Sequence, residues 1–251
     1  MVASKGAVQQ EPAYVIHRRP WRETALLVDL FTLNHGRMSL VARGANSAKS
    51  PLKAQLQPFQ PLLVDWTGRS DLKTLVQLEV RSAPLLRQTL SLYSGLYINE
   101  LLQRGLPVAD PYPTLFASYI DTLQALTGLT GLAGRGELEP LLRRFEREFC
   151  SALGYDFAWD QATDTGLPVS AGQVYGYDPA QGIVSAASRD ARLNQLPGEV
   201  LIALAAGDYT SEASRKTAKR VMRVLVDYLL QGKPLHSRNL FSQTVSSSGR
   251  T

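Results

Sequence analysis

Residues 31–59 read FTLNHGRMSLVARGANSAKSPLKAQLQPF. Phe31 and Thr32 close one strand, Asn34-His35-Gly36 make a turn, and Arg37–Arg43 run back as a second strand. Met38, Leu40 and Ala42 alternate with Arg37, Ser39 and Arg43, the pattern of a half-buried strand, and Val41 alone departs from it. Residues 44–58 then open into a long connection that carries Lys49 and Lys53 among Gly, Ala, Ser, Asn and Pro. No acidic residue occurs from Leu30 through Val64. A cationic loop of small residues on a hairpin can approach a polyanion without steric obstruction.

Outward from this hairpin, the segments Ala13–Arg18, Thr24–Thr32, Arg37–Arg43, Pro61–Thr67 and Leu72–Val80 read as short strands separated by turn signals. Five strands with one long connection after the third predict a small closed barrel of the OB type, with an SH3-like barrel as the alternative. From Pro84 the apolar period becomes helical. Leu86, Leu90, Tyr93, Tyr97 and Leu101 predict one helix, and Leu115, Phe116, Tyr119, Ile120, Leu123 and Leu126 a second. Glu137–Leu153 predicts a third, with Pro140 in its first turn. The Gly-rich stretch 128–136 lacks the Gly-Lys-Ser/Thr ending and the preceding strand of a phosphate loop, and reads as a helix–helix connection. Helices resume near residues 197–206 and 211–230.

The expected fold class is therefore α+β: a five-stranded OB barrel, then a mainly helical domain interrupted by a loop-rich insertion. The expected segments are a flexible tail at 1–11, the barrel at 12–82, a helical domain at 83–154 and the insertion at 155–197. C-terminal helices at 198–241 pack with the helical domain, and 242–251 is a disordered tail.

Composition bounds the function. The chain has 251 residues, 44% hydrophobic and 20% charged, the profile of an ordinary globular protein. It shows no apolar run long enough for a transmembrane helix and no secretory signal at its N-terminus, so the expected address is cytoplasmic, away from membranes. A single cysteine, Cys150, excludes an intramolecular disulfide and any multi-cysteine metal site. The net charge of +5 is unevenly spread. Residues 1–80 hold ten Lys/Arg against six Asp/Glu, and residues 213–251 hold eight against one. Between them, residues 151–212 hold two against eight. Were the two basic ends to lie together, they would form one broad anion-binding face.

On the last long helix Lys216, Lys219, Arg220 and Arg223 share one face, opposite Ala218, Val221, Met222, Leu225 and Leu229. A row of like charges is mildly self-repelling and is readily understood if a polyanion is the partner; a solvated face is the alternative. Asp156, Asp160 and Asp164 recur at four-residue spacing and offer a divalent-metal alternative, against a solvated acidic loop. His17, His35 and His236 are scattered, and Cys150 sits next to Phe149 as a packed thiol, so nothing supports nucleophilic catalysis. Of the barrel aromatics Tyr14, Trp21, Phe31, Phe59 and Trp66, Trp21 between Arg18-Arg19-Pro20 and Arg22 is the candidate for an exposed stacking platform.

Several short stretches carry a family likeness: RPWRE at Arg19–Glu23, LFT at Leu30–Thr32 with Gly36-Arg37, VARG at Val41–Gly44, and Gln57-Pro58-Phe59. LYINELL at Leu96–Leu102, LRRFE at Leu142–Glu146, Leu153-Gly154-Tyr155 and KPLHSRNLF at Lys233–Phe241 complete the series. In order and spacing they resemble the bacterial RecO recombination-mediator family over nearly the whole chain. The resemblance implies an OB domain, a helical domain and a zinc-finger-like insertion. It implies binding of single- and double-stranded DNA, ATP-independent strand annealing, engagement of RecR, and assistance to RecA loading in the nucleoid during repair. Many members carry four cysteines in the insertion, whereas residues 155–197 contain none, so neither zinc nor another cofactor is expected. The family also recruits the acidic, apolar C-terminal tail of single-stranded DNA-binding protein, and the LRRFE match carries the anchoring arginine onto Arg143, aided by Arg144. The structural alternative is an intrahelical pair from Glu139 to Arg143.

The expected activity is non-enzymatic. Arg18, Arg19, Arg22, Arg37, Arg43, Lys49 and Lys53 would hold phosphates on the barrel, and Lys216, Lys219, Arg220 and Arg223 would extend the track. Two rivals are an OB scaffold that binds protein rather than DNA, and a metal-dependent nuclease built on the three aspartates.

Overall fold

The run ALLVDLFT has no polar face, and its strand is buried along its entire length. In the computed structural model, which describes residues 6–129, 131–188 and 193–241, this strand lies between two hydrophobic layers. Leu26, Val28 and Leu30 point into a barrel with Val15, Met38, Leu40, Leu62, Val64 and Trp66. On its other face Phe31, with Tyr14, meets the rings of Phe116 and Tyr119 at centroid distances of 5.2–6.0 Å.

The barrel strands are β1 (Val8–Trp21), β2 (Ala25–Thr32), β3 (Gly36–Ala42), β4 (Pro61–Thr67) and β5 (Lys73–Val80). They close in the order β1-β2-β3-β5-β4, with β4 antiparallel to β1 and β3 parallel to β5. A short helix, α1 (Pro51–Gln55), interrupts the connection between β3 and β4. This is the partly Greek-key barrel expected of an OB fold. On β3, Met38, Leu40 and Ala42 are buried and Arg37, Ser39 and Val41 half-buried, so even Val41 keeps the two-residue period.

Two expectations change. The sequence predicts a flexible tail through residue 11, but β1 begins at Val8. Glu11 is buried there, and its carboxylate accepts from the Asn34 backbone amide at 2.6 Å and the Asn34 side chain at 3.0 Å. A polar sequence becomes strand because the barrel needs it to close on β4. The connection after β3 is likewise not all loop, since Pro51 starts α1 with its fixed φ.

The described residues of segments 1–129 and 235–251 form one compact unit and those of 130–234 another. The span 83–154, which the sequence predicts as one helical domain, is thus shared between them. In the first unit, α2 (Thr89–Gly105) and α3 (Pro113–Gly128) lie on the barrel. Asn99 links them, donating to the Val15 carbonyl and accepting from the Tyr119 hydroxyl at 2.8 Å. The α2–α3 connector docks on the β2–β3 turn. Arg37 Nε donates to the Leu106 carbonyl at 2.8 Å, and the Ala109 amide donates to the Arg37 carbonyl at 2.9 Å. Gly36 has φ +65°, and a Cβ there would fall 1.7 Å from the Asp110 carbonyl oxygen. Residues 235–241 rejoin this unit at α2, where Glu100 accepts from the amides of His236 and Ser237 and from the Ser237 hydroxyl.

The second unit holds α4 (Gly131–Ala152), a three-stranded sheet, α5 (Gly198–Ala205) and α6 (Glu212–Leu229). The sheet strands are β6 (Val174–Asp178), β7 (Gly182–Val184) and β8 (Leu196–Pro197), in the order β7-β6-β8. α4 starts six residues before the expected Glu137, so much of the Gly-rich connection is helical and Pro140 lies inside the helix. Once a helix is nucleated, each added residue costs little, even where propensity is poor. The cysteine-free insertion is held by aromatic packing. Phe157 meets Trp159 at 4.8 Å and Tyr177 at 5.1 Å, and Ile183 and Leu196 are also buried. Asp164 ties it further, accepting from the amides of Ser185 and Ala186 at 2.9–3.1 Å. The expected tail at 242–251 lies outside the described residues.

Candidate nucleic-acid interface

Strand register collects the barrel cations at one end. Trp21 pairs with Ala25 to close the β1–β2 turn, and Leu26 pairs with Ala42 at the end of β3. Arg22 sits in the turn with φ +54°, and Arg43 follows Ala42 directly. The Asn46 amide donates to the Thr24 carbonyl at 2.8 Å, so the loop after β3 is fastened to that turn. Arg19, Arg22, Arg43 and Lys49 are all exposed here, and Glu23 is the one acid in these two segments. Trp21, half-buried, is the one barrel aromatic of the five that keeps solvent-facing surface. Tyr14, Phe31, Phe59 and Trp66 are core.

Three other predicted cations have different surroundings. Arg18 donates from Nη1 to the carbonyls of Lys53 and Leu56, both at 2.8 Å, and from Nη2 to Gln57 Oε1. Its guanidinium fixes the end of α1 and thereby holds the backbone of Lys53, whose side chain is exposed. Arg37 lies at the opposite end of the β2–β3 hairpin, engaged with the Leu106 carbonyl.

The α6 stripe belongs to the other unit. Ser211 caps the helix, its hydroxyl accepting from the Ser214 amide at 2.9 Å, and Ala218, Val221, Met222 and Leu225 bury the opposite face. Lys216, Lys219, Arg220 and Arg223 are exposed. Lys216 is ion-paired with Glu212 at 2.6 Å, and Lys219 with Glu139 of α4.

A third cluster surrounds Tyr209. Arg144 lies 5.7 Å over its ring, and Arg215 donates to the carbonyls of Tyr209 and Thr210. Burial pushes the Tyr209 hydroxyl above its ordinary pKa, and the charges of Arg147, Arg144 and Arg143 oppose that shift. Arg143 is itself buried, with Nη2 donating to Glu146 Oε1 at 2.5 Å. Its partner is therefore Glu146 rather than Glu139, which serves Lys219. Arg144 is exposed, and Arg147 reaches the Phe157 carbonyl at 3.3 Å. The sequence singles out Arg143 and Arg144 of this cluster, and not Tyr209, Arg147 or Arg215. Arg147 was within reach of a helical-face argument, one turn beyond Arg143; Tyr209 lies in a connection with no periodic signal.

The catalytic alternatives find little support in the geometry. Asp156 accepts from the Phe157 amide, and both oxygens of Asp164 are taken by amides. Among the described residues no group of three His, Cys, Asp or Glu converges as a metal set. Burial, and then the Glu146 charge, push the Cys150 thiol far above its ordinary pKa, which leaves it unreactive. Among the described residues no helix is long and apolar enough to cross a membrane.

Comparison with known proteins gives the family. The family described as Recombination protein O N terminal matches residues 7–84, and that described as Recombination protein O C terminal matches residues 87–239. A DNA repair protein RecO of Marinobacter nauticus is 76% identical over 246 residues, 98% of this chain and 99% of the relative. Proteins of the same name from Aromatoleum aromaticum and Haemophilus influenzae are 38% and 41% identical, over 96% and 92% of this chain and 98% and 95% of theirs. The chain therefore belongs to the RecO family of DNA repair proteins, recombination mediators rather than enzymes.

Proposed function

We propose that this protein binds single- and double-stranded DNA through the cationic end of its barrel and anneals complementary single strands. Arg19, Arg22, Arg43, Lys49 and Lys53 contact phosphates, and Trp21 offers an unpaired base a stacking surface. Lys216, Lys219, Arg220 and Arg223 form a second, weaker strand-binding face. Arg18 and Arg37 support the scaffold. Annealing needs no bond chemistry: bound cations reduce the repulsion between two phosphate chains, and base pairing supplies the driving force.

One observation carries this reading. The Asn46–Thr24 hydrogen bond fastens two cationic segments into one barrel end, which presents four exposed cations and one acid.

The cluster around Tyr209 is read as the seat of the acidic tail of single-stranded DNA-binding protein. Arg144 and Arg147 would meet the carboxylates, and the Tyr209 ring an apolar side chain. With that partner and RecR, the protein assists RecA loading in the cytoplasm, at the nucleoid under repair. Charge reversal of Lys49 and Lys53 together tests the DNA assignment. Annealing of complementary oligonucleotides should be lost while the melting temperature holds. Unimpaired annealing would favour a barrel that docks protein instead.

A further inference from the structure

Lys219 of α6 is held by Glu139, a residue of a different helix, α4. The contact does not account for how the two helices stay together. The two helices already pack against each other, and Leu138, Leu142, Phe145 and Phe149 on α4 and Ala218, Val221, Met222 and Leu225 on α6 are buried. The paired side chains are 55% and 40% exposed, and an ion pair so open to water adds little stability. Glu212, the partner of Lys216, has an independent reason for its position in the first turn of α6, where a negative charge complements the helix dipole. Glu139 has no such reason. What it does do is place a carboxylate on the cation that a phosphate would occupy.

We infer that Glu139 is a built-in competitor for Lys219, so that a DNA strand binds the α6 face by exchanging a phosphate for the Glu139 carboxylate. This rests on the reading of α6 as a strand-binding face. The intramolecular anion lowers the affinity of that face without removing it, because the phosphates of a strand are many and the carboxylate is one. Salt screens the Glu139–Lys219 pair as it screens the phosphate contacts. The competition is therefore strongest at low ionic strength, and it flattens the salt dependence of binding.

The test is fluorescence anisotropy of a labelled oligothymidylate at low and high salt. It compares wild type, Glu139→Gln, Lys219→Ala and the double variant, with melting temperatures to confirm folding. Glu139→Gln should tighten binding about two- to fivefold at low salt, and less at high salt. Lys219→Ala should weaken binding, and in that background Glu139→Gln should give no gain. A gain that persists without Lys219 reports net charge alone and overturns the inference. If Glu139→Gln changes nothing while Lys219→Ala weakens binding, the competitor role fails and the α6 face stands. If neither substitution changes binding, the α6 reading itself fails, and the inference with it.

Discussion

The barrel end and α6 carry four exposed cations each, in opposite electrostatic settings. At the barrel end Glu23 is the one acid of the two cationic segments, and three other acids of the same unit are engaged elsewhere. Glu11 accepts from the amides of Asn34, Asp65 from the Gln10 amide, and Asp29 from Ser39 and Gln103. Their charge is spent on holding strands and turns together, and Arg19, Arg22, Arg43 and Lys49 are left facing water. On α6 Lys216 and Lys219 already have carboxylate partners. Counting cations would rank the two surfaces as equal. Where the acids go is the reason we propose the barrel end, rather than α6, as the stronger polyanion site.

A sharper contrast lies between cations that face solvent and one that does not. Arg143→Ala would take the Arg143 guanidinium away from the Glu146 carboxylate, which is 1% exposed. It should destabilise the second unit by about 3 kcal/mol or more, read as a lowered denaturant midpoint. Arg19→Ala or Arg43→Ala should leave that midpoint unchanged. Replacing Arg19, Arg22, Arg43 and Lys49 together by Ala should weaken single-stranded DNA binding about a hundredfold at low salt, with folding intact. A smaller effect, about tenfold, is expected for Arg144→Ala on binding of an acidic C-terminal tail peptide, with DNA binding retained. Smaller again is Lys216→Ala with Lys219→Ala, a several-fold loss in DNA affinity, because both side chains begin from an ion pair. Were this pair to matter more than the barrel four, the ranking would be reversed.

The inward-turned acids give the comparison a pH signature. Burial would raise the Asp29 carboxyl, but hydrogen bonds from His17, Ser39 and Gln103 hold it below its ordinary value of 3.8. A depressed folded pKa contributes stability above the unfolded value, and that contribution is lost as pH falls through the folded one. Acid should therefore loosen the barrel unit below about pH 4. Asp29→Asn should flatten that part of the stability profile, as followed by thermal melts between pH 3 and 6.

Much of this was legible in the residues. Alternation on β3, the apolar run of β2 and the long connection after β3 point to the barrel, because a closed sheet imposes a two-residue period. The α6 stripe and its buried opposite face are equally plain at helical spacing. The roles of Arg18 and Arg37 were not legible. A guanidinium that caps α1 or grips the Leu106 carbonyl has the same side chain as one that faces water. Nor was the start of α4, where glycines and Pro140 argue locally against a helix that continues through them. The Tyr209 cluster escaped for a different reason, since its arginines come from two helices and meet only through tertiary packing.

The central claim is that the barrel-end cations hold phosphates. Its most direct test is the slope of log K against log salt for single-stranded DNA, in wild type and in the variant lacking Arg19, Arg22, Arg43 and Lys49. Each lost phosphate contact should reduce the slope by about 0.7, so the variant should be shallower by about 2 to 3. An unchanged slope would contradict the account.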